Sequence, residues 1–160
     1  MRLYLIRHGE AESENTVQVR ARYREPGSLT DKGRKAVLKA AQHLKKSHPE
    51  IDEIWHSVKL RAKQTADIVS QELGIKNIYK KEGLVPNDTI GKYINRINDI
   101  ENENVAIVGH LPFLAKIASF LLFGSEAKYE RINFLTAGII CLEKQDEKWK
   151  ILWASGVKVS

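Results

Sequence analysis

Apolar residues along this chain fall in two alternating periods. Leu3, Tyr4, Leu5 and Ile6 form a short β-favouring run, which predicts a buried strand over 2–7. The segment 9–28 is polar and carries Pro26 and Gly27, so it is expected to be mostly loop. From Asp31 the spacing changes. Gly33, Ala36, Val37, Ala40, Ala41 and Leu44 form one stripe of a helix, with Lys, Arg, Gln and His on the other face. Thr30 or Asp31 can cap that helix, and Pro49 closes it. DEIWHS at 52–57 predicts a second strand. Ala62, Thr65, Ala66, Val69 and Leu73 then predict a helix over about 59–73, with Gly74 as its stop.

The alternation continues. KNIYK at 76–80 is a short strand, and Ile90, Tyr93, Ile94 and Ile97 are spaced as a helix over 90–98. NVAIVG at 104–109 is continuously apolar, the pattern of a strand buried on both faces. Pro112 opens a helix whose inner face is Leu114, Ile117, Ala118 and Leu121, and Gly124 ends it. Two strands, about 138–143 and 149–154, close the pattern. Strands alternating with amphipathic helices predict an α/β fold of three α/β/α layers around a mostly parallel sheet. The polar KQDEK joining the last two strands is too short for a crossover helix, so that pair should be antiparallel.

Bulk properties change this picture little. The chain has 160 residues, which fits one domain over 1–160. Its net charge of +6 allows an anionic partner, but the lysines are scattered. No basic and aromatic interleaving suggests nucleic-acid binding. One cysteine, Cys141, excludes an internal disulfide and fits a reducing, cytoplasmic setting. The first apolar run is too short for a secretory signal, and no run reaches membrane-spanning length.

Chemistry gathers at predicted strand ends. The first strand ends in Arg7-His8-Gly9, the second in His56-Ser57 with Arg61 one helical turn later, and the fourth in Gly109-His110. Parallel strands put these ends on one rim, where open α/β sheets bind ligands. Two histidines and two arginines converging beside helix N-termini repel one another unless an anion sits among them. A phosphoryl group fits: guanidinium groups bind its oxygens bidentately, and a neutral imidazole can attack phosphorus and hold it covalently. His56 ends its strand facing either the rim or the surface. Ser57 is most simply a helix cap whose backbone could help hold phosphate. Glu10, Glu12 and Glu14 could ligate a metal with the histidines, or simply pair with the arginines; no zinc-type spacing is present. His43 and His48 belong to the solvated side of their helix. Cys141, Trp149 and Trp153 are expected to pack.

LIRHGEAE resembles the Arg-His-Gly signature of the histidine phosphatase superfamily, the phosphoglycerate-mutase-like proteins. SLTDKGRKAV is similar to that family's Leu-Thr-x-x-Gly element, and HSVKLRAKQTADIV to its Ser-x-x-x-Arg-Ala-x-Gln-Thr-Ala helix start. VGHLPFL resembles the second-histidine motif, and TAGIICLE the late strand. The order is the family's order. The resemblance implies a phosphoglycerate-mutase-like fold, with His8 as the phosphorylated nucleophile and His110 holding phosphoryl oxygens from the other side. Arg7 and Arg61 would clamp those oxygens, with Gly9 and Ser57 also lining the phosphate site. It implies no metal and no cofactor. Thr30 would cap its helix, Gly33 would let that helix approach the sheet, and Gly9 would let the chain turn sharply. Short length and the Gly-His-Leu-Pro form of the second motif resemble the small bacterial phosphohistidine phosphatases. That implies a phosphorylated protein or a small phosphorylated substrate as partner, with neither nucleic acid nor membrane.

Three positions depart from the family pattern. Ala11 and Glu14 stand where the mutase branch carries Ser and Asn, with Asn15 as a near neighbour, which argues against mutase activity. Val58 replaces a common Pro. No acid matches the family's proton donor plainly; Glu82 and Asp88 lie in the right region, and LVPNDT favours Asp88, which could equally cap the helix at 90–98. The competing readings are a phosphate-binding module with little turnover, a small-molecule phosphomonoesterase, and a metal-dependent hydrolase.

Overall fold

The computed structural model describes residues 1–14, 25–101 and 103–160. Six strands form one sheet: β1 (Arg2–Arg7), β2 (Glu53–Ser57), β3 (Ile78–Lys81), β4 (Val105–Gly109), β5 (Ile132–Gln145) and β6 (Lys148–Val159). Their order is β3-β2-β4-β1-β5-β6. The first four are mutually parallel, and β5 and β6 run antiparallel. Among the described residues, four helices, α1 (Asp31–Lys46), α2 (Leu60–Leu73), α3 (Gly91–Asp99) and α4 (Phe113–Phe123), cover both faces.

The pleat explains the continuous apolar runs of β1 and β4. Leu3 and Leu5, with Val105 and Ile107, point into a core shared with α3 and α4. Tyr4 and Ile6, with Ala106 and Val108, point into a second core shared with α1 and α2. Leu3–Ile6 and Val105–Val108 therefore each meet a helix layer. Thr30 caps α1, accepting from the Gly33 N–H at 2.9 Å. Gly74 and Gly124 close α2 and α4 in the left-handed region, at φ 70° and 74°.

Several expectations need correction. The helical stripe includes Ala36, but Ala36 is exposed; α1 buries only Gly33, Val37, Ala41 and Leu44. Gly33 makes its close approach to a loop rather than to the sheet, because a methyl there would overlap the Glu10 carbonyl. Ser57 does not cap α2: Lys59 stands at the cap, and no side chain caps that helix. Asp88 does not cap α3, whose cap residue is Ile90. The last two strands extend well beyond the alternating core of each, and a 3-10 turn at Glu126–Arg131 precedes β5. Asn15 lies outside the described residues. Among the described residues, no helix is long and apolar enough to cross a membrane.

Trp149 and Trp153 share parity on β6, which should place them on one face. They pack on opposite faces, Trp149 against the α3/α4 core and Trp153 against the α1/α2 core. A bulge causes this. Cys141 pairs with Trp153 while Leu142 pairs with Ile151, so Leu152 has no opposite number and the side-chain alternation flips.

Candidate active site

Register sets the geometry. Arg7 of β1 lies opposite Gly109 of β4, so the next residues, His8 and His110, leave the sheet side by side. The His8 N–H donates to the Gly109 carbonyl at 3.0 Å. The imidazole centroids are 5.0 Å apart. On the other side of β4, His56 pairs with Val108, which brings Ser57 next to His110. Ser57 Oγ lies 2.8 Å from His110 Nε2 and also accepts from the Lys59 N–H at 3.3 Å.

A cleft of about 420 Å³ opens on this rim, lined by Arg7, His8, Arg61 and His110 together with Glu10, Glu12, Pro86 and Thr136. His8 Nδ1 lies 2.7 Å from the Gly9 carbonyl, which can only accept. The ring hydrogen is therefore on Nδ1, and Nε2 keeps its lone pair. Burial pushes His8 down to about 4, aided by the Arg61 and Arg7 guanidiniums and opposed by the Gly9 bond. Burial likewise pushes His110 down to about 3, with His8 and Arg61 adding to the effect. Both rings are neutral near pH 7, as a nitrogen nucleophile must be.

Arg7 is fixed by Nη1 donating to the Phe134 carbonyl at 2.8 Å, and burial lowers its pKa. Among the described residues, its buried Nε has no partner, and neither does His110 Nδ1. Arg61 instead meets Glu14 at 3.0 Å, and Lys59 meets the same carboxylate at 3.2 Å. These contacts with Lys59 and then Arg61 hold the Glu14 carboxyl below its ordinary range. Glu14, at a position the mutase branch gives to Asn, thus pairs with Arg61.

Gly9 serves a different purpose from the expected sharp turn. Its φ is outside the left-handed region, and a methyl on it would come within 2.6 Å of Val37 Cγ2 and 3.1 Å of the Gly33 carbonyl. The loop after β1 is pressed flat against α1. Thr65 holds it there, accepting from the Gly9 N–H at 3.1 Å and donating to the Arg61 carbonyl at 2.8 Å. One buried hydroxyl thus links Gly9, next to His8, to Arg61. The apolar periodicity of α2 assigned Thr65 only to the packed stripe.

Other predicted residues are less central. His56 is buried, with Nδ1 2.9 Å from the Ser57 carbonyl, and does not line the cleft. Asp88 closes a local turn, its carboxylate accepting from the Val85 N–H at 2.9 Å, and Glu82 is exposed. Neither lines the cleft, although Pro86 between them does. Among the described residues, no group of three His, Cys, Asp or Glu is placed to hold a metal ion.

Thr136 was not predicted, and it arrives through an irregularity. β5 runs from Phe134 to Ile139 while β6 steps only from Val157 to Ser155. The excess residues fold out toward the cleft. Ala137 sits at φ 61°, and its N–H donates to the His8 carbonyl at 3.1 Å. No sequence period marks such a bulge; the only local hint is the Gly in TAGII.

Comparison with known proteins follows the same lines. The family model described as histidine phosphatase superfamily (branch 1) matches residues 3–85, a span holding Arg7, His8, Ser57 and Arg61. An uncharacterized protein of Picosynechococcus is 34% identical over 148 residues, covering 89% of this chain and 84% of the relative. Among solved structures, the protein histidine phosphatase SixA complexed with tungstate superimposes with a TM-score of 0.79 at 22% identity, covering 98% of this chain and 97% of the other. A phosphoserine phosphatase mutant from Entamoeba histolytica, in complex with phosphoserine, gives 0.70 at 17% identity, covering 96% and 95%. At those identities the likeness is one of fold, the phosphoglycerate-mutase-like arrangement.

Proposed function

We propose that this chain, which belongs to the histidine phosphatase superfamily and is a phosphatase by that membership, works without a metal through a phosphohistidine on His8. The observation that carries this is the state of His8. Its Nδ1 hydrogen is committed to the Gly9 carbonyl, and its depressed pKa keeps Nε2 unprotonated in a cleft that Arg7 and Arg61 also line. In the proposed first step, Nε2 attacks phosphorus and the leaving group departs. Water then attacks the phosphohistidine and releases phosphate. Arg7, Arg61 and His110 would bind the phosphoryl oxygens, which gain negative character in the transition state. A Ser57 hydroxyl donating to His110 Nε2 would leave the ring hydrogen on Nδ1, an atom that has no partner among the described residues. A phosphoryl oxygen would supply it. Gly9 would complete the phosphate site by letting the His8 loop lie close.

For substrate we favour a phosphoryl group carried on a protein, phosphohistidine in particular. Among the described residues the cleft lies open at the sheet rim, and a fold neighbour is a protein histidine phosphatase. Another neighbour binds phosphoserine, so a small phosphomonoester is the second reading. The single thiol, Cys141, is buried, which suits the reducing conditions of the cytoplasm. We take 1–160 to be one histidine phosphatase domain.

The test is hydrolysis of 4-nitrophenyl phosphate with a chelator present. Wild type should turn over, and His8→Ala should lose activity by at least about 10³-fold, the scale seen when a covalent nucleophile is removed. Activity lost to the chelator, or retained in His8→Ala, would overturn the mechanism.

A further inference from the structure

A phosphatase of this kind needs a group to protonate its leaving atom, and the two acids that sequence position suggests, Glu82 and Asp88, do not line the cleft. Asp88 is committed to the Val85 N–H. Two other carboxylates do line it, Glu10 and Glu12, both on the loop that follows the nucleophile. They differ in how they are held. Glu10 is exposed, and its carboxylate accepts from the Thr30 hydroxyl at 3.0 Å, which ties it to the start of α1. Glu12 is half-buried. Its backbone is fixed on the rim: the Glu12 N–H donates to the Ser28 carbonyl at 2.7 Å, and the Thr30 N–H donates to the Glu10 carbonyl at 3.0 Å. Ala11 and Leu29 form the β-bridge between these two bonds. Glu14, one turn further, does not line the cleft and is paired with Arg61 and Lys59.

We propose that Glu12 is the proton donor of this enzyme, an assignment that rests on the phosphohistidine reading above. An acid whose backbone is held in place on a residue lining the cleft is what positioned proton transfer requires. In the first step the His8 Nε2 lone pair forms the P–N bond. The bond from phosphorus to the leaving oxygen or nitrogen breaks, its electron pair stays on the leaving atom, and that atom takes the Glu12 carboxyl proton. In the second step a water oxygen forms the new P–O bond and its proton goes to the Glu12 carboxylate. The P–N bond breaks with its pair returning to Nε2. Phosphate leaves, and both residues return to their starting states.

The experiment measures kcat/KM for a series of phosphate esters, from 4-nitrophenyl phosphate, whose leaving group needs no proton, to an alkyl phosphate, whose leaving group does. This ratio reports only the steps up to release of the leaving group. Glu12→Gln should cost about 10²-fold or more on the alkyl ester. On 4-nitrophenyl phosphate it should cost less than about threefold, so dependence on the leaving group steepens. Gln keeps the backbone N–H that holds the loop, and an unchanged melting temperature should verify this. A flat loss across the series, or none, overturns the assignment, as does a steepened dependence in Asp88→Asn or Glu82→Gln with Glu12→Gln unaffected. A wild type inactive on every ester, or a His8→Ala variant as active as wild type, instead overturns the phosphohistidine reading and this assignment with it.

Discussion

The two halves of the sheet reach the cleft in opposite ways. In the parallel half, β1, β2 and β4 all end at the same rim, so the residues that follow them converge without any special device. Arg7, His8, Ser57 and His110 are neighbours because three strands stop in register. In the antiparallel half, β5 runs past the rim in the other direction, and a regular strand would present only alternating side chains there. It contributes Thr136, and the carbonyl that holds Arg7, through a local excess of residues between Phe134 and Ile139. Topology delivers chemistry on one side, and a defect in the ladder delivers it on the other. Each route rests on a glycine contact, the first on Gly33 against the Glu10 carbonyl and the second on Gly138 against the Gly156 and Leu135 carbonyls.

Glycine substitutions should separate the halves. Gly33→Ala drives a methyl into the Glu10 carbonyl, backbone against backbone, and should destabilise the fold by about 3 kcal/mol or more. It should also disturb the loop carrying His8 and Glu12. Gly138→Ala brings a methyl within 2.6 Å of the Gly156 carbonyl and 2.8 Å of the Leu135 carbonyl. Its expected cost is about 1–3 kcal/mol. Thermal melts rank the two, and the contrast fails if Gly138→Ala proves the more destructive. The milder variant should retain the nucleophile and show its defect in substrate binding.

Acid sensitivity should arise in the parallel half, since both depressed histidines end its strands. Their folded values, about 4 and about 3, lie below the ordinary 6.5. The unfolded chain therefore takes up protons that the folded chain refuses. This contribution to stability is complete above pH 6.5 and is lost as pH falls toward those lower values. A bound dianion favours the charged rings. Sulfate should accordingly raise the melting temperature more at about pH 5 than at about pH 7.5. An equal rise at both would mean that the rings do not sense the anion.

The smallest effect is expected at the bulge itself. Thr136→Val keeps the shape and removes a hydroxyl at the cleft wall. Loss of one such hydrogen bond to a phosphorylated substrate should raise KM by about fivefold with kcat little changed. An unchanged KM would remove Thr136 from substrate contact and leave the bulge with only its hold on Arg7.

Much of the site was legible because it follows from strand ends, and strand ends follow from where apolar runs stop. Arg7-His8 and Gly109-His110 could be placed on one rim before any coordinates. Thr65 could not, because its position satisfies the helical apolar period and its hydroxyl is used across the molecule by Gly9. Glu12 was obscured by its neighbours: three alternating carboxylates look alike in sequence, and only the bridge between Ala11 and Leu29 distinguishes how they are held. Trp149 and Trp153 show the same limit in reverse, since a single bulged residue, Leu152, moved them to opposite faces.

The sequence by itself determined the alternation of elements, the parallel sheet with its antiparallel pair, and the four residues gathered at the rim. These rest on periodicity, capping and motif, which act over a few residues at a time. Tertiary structure alone decided which acidic residues line the cleft, which hydroxyl links the His8 loop to Arg61, and how β5 reaches the site. Each of those depends on backbone groups distant in the chain meeting within hydrogen-bond reach, and local sequence carries no record of that distance.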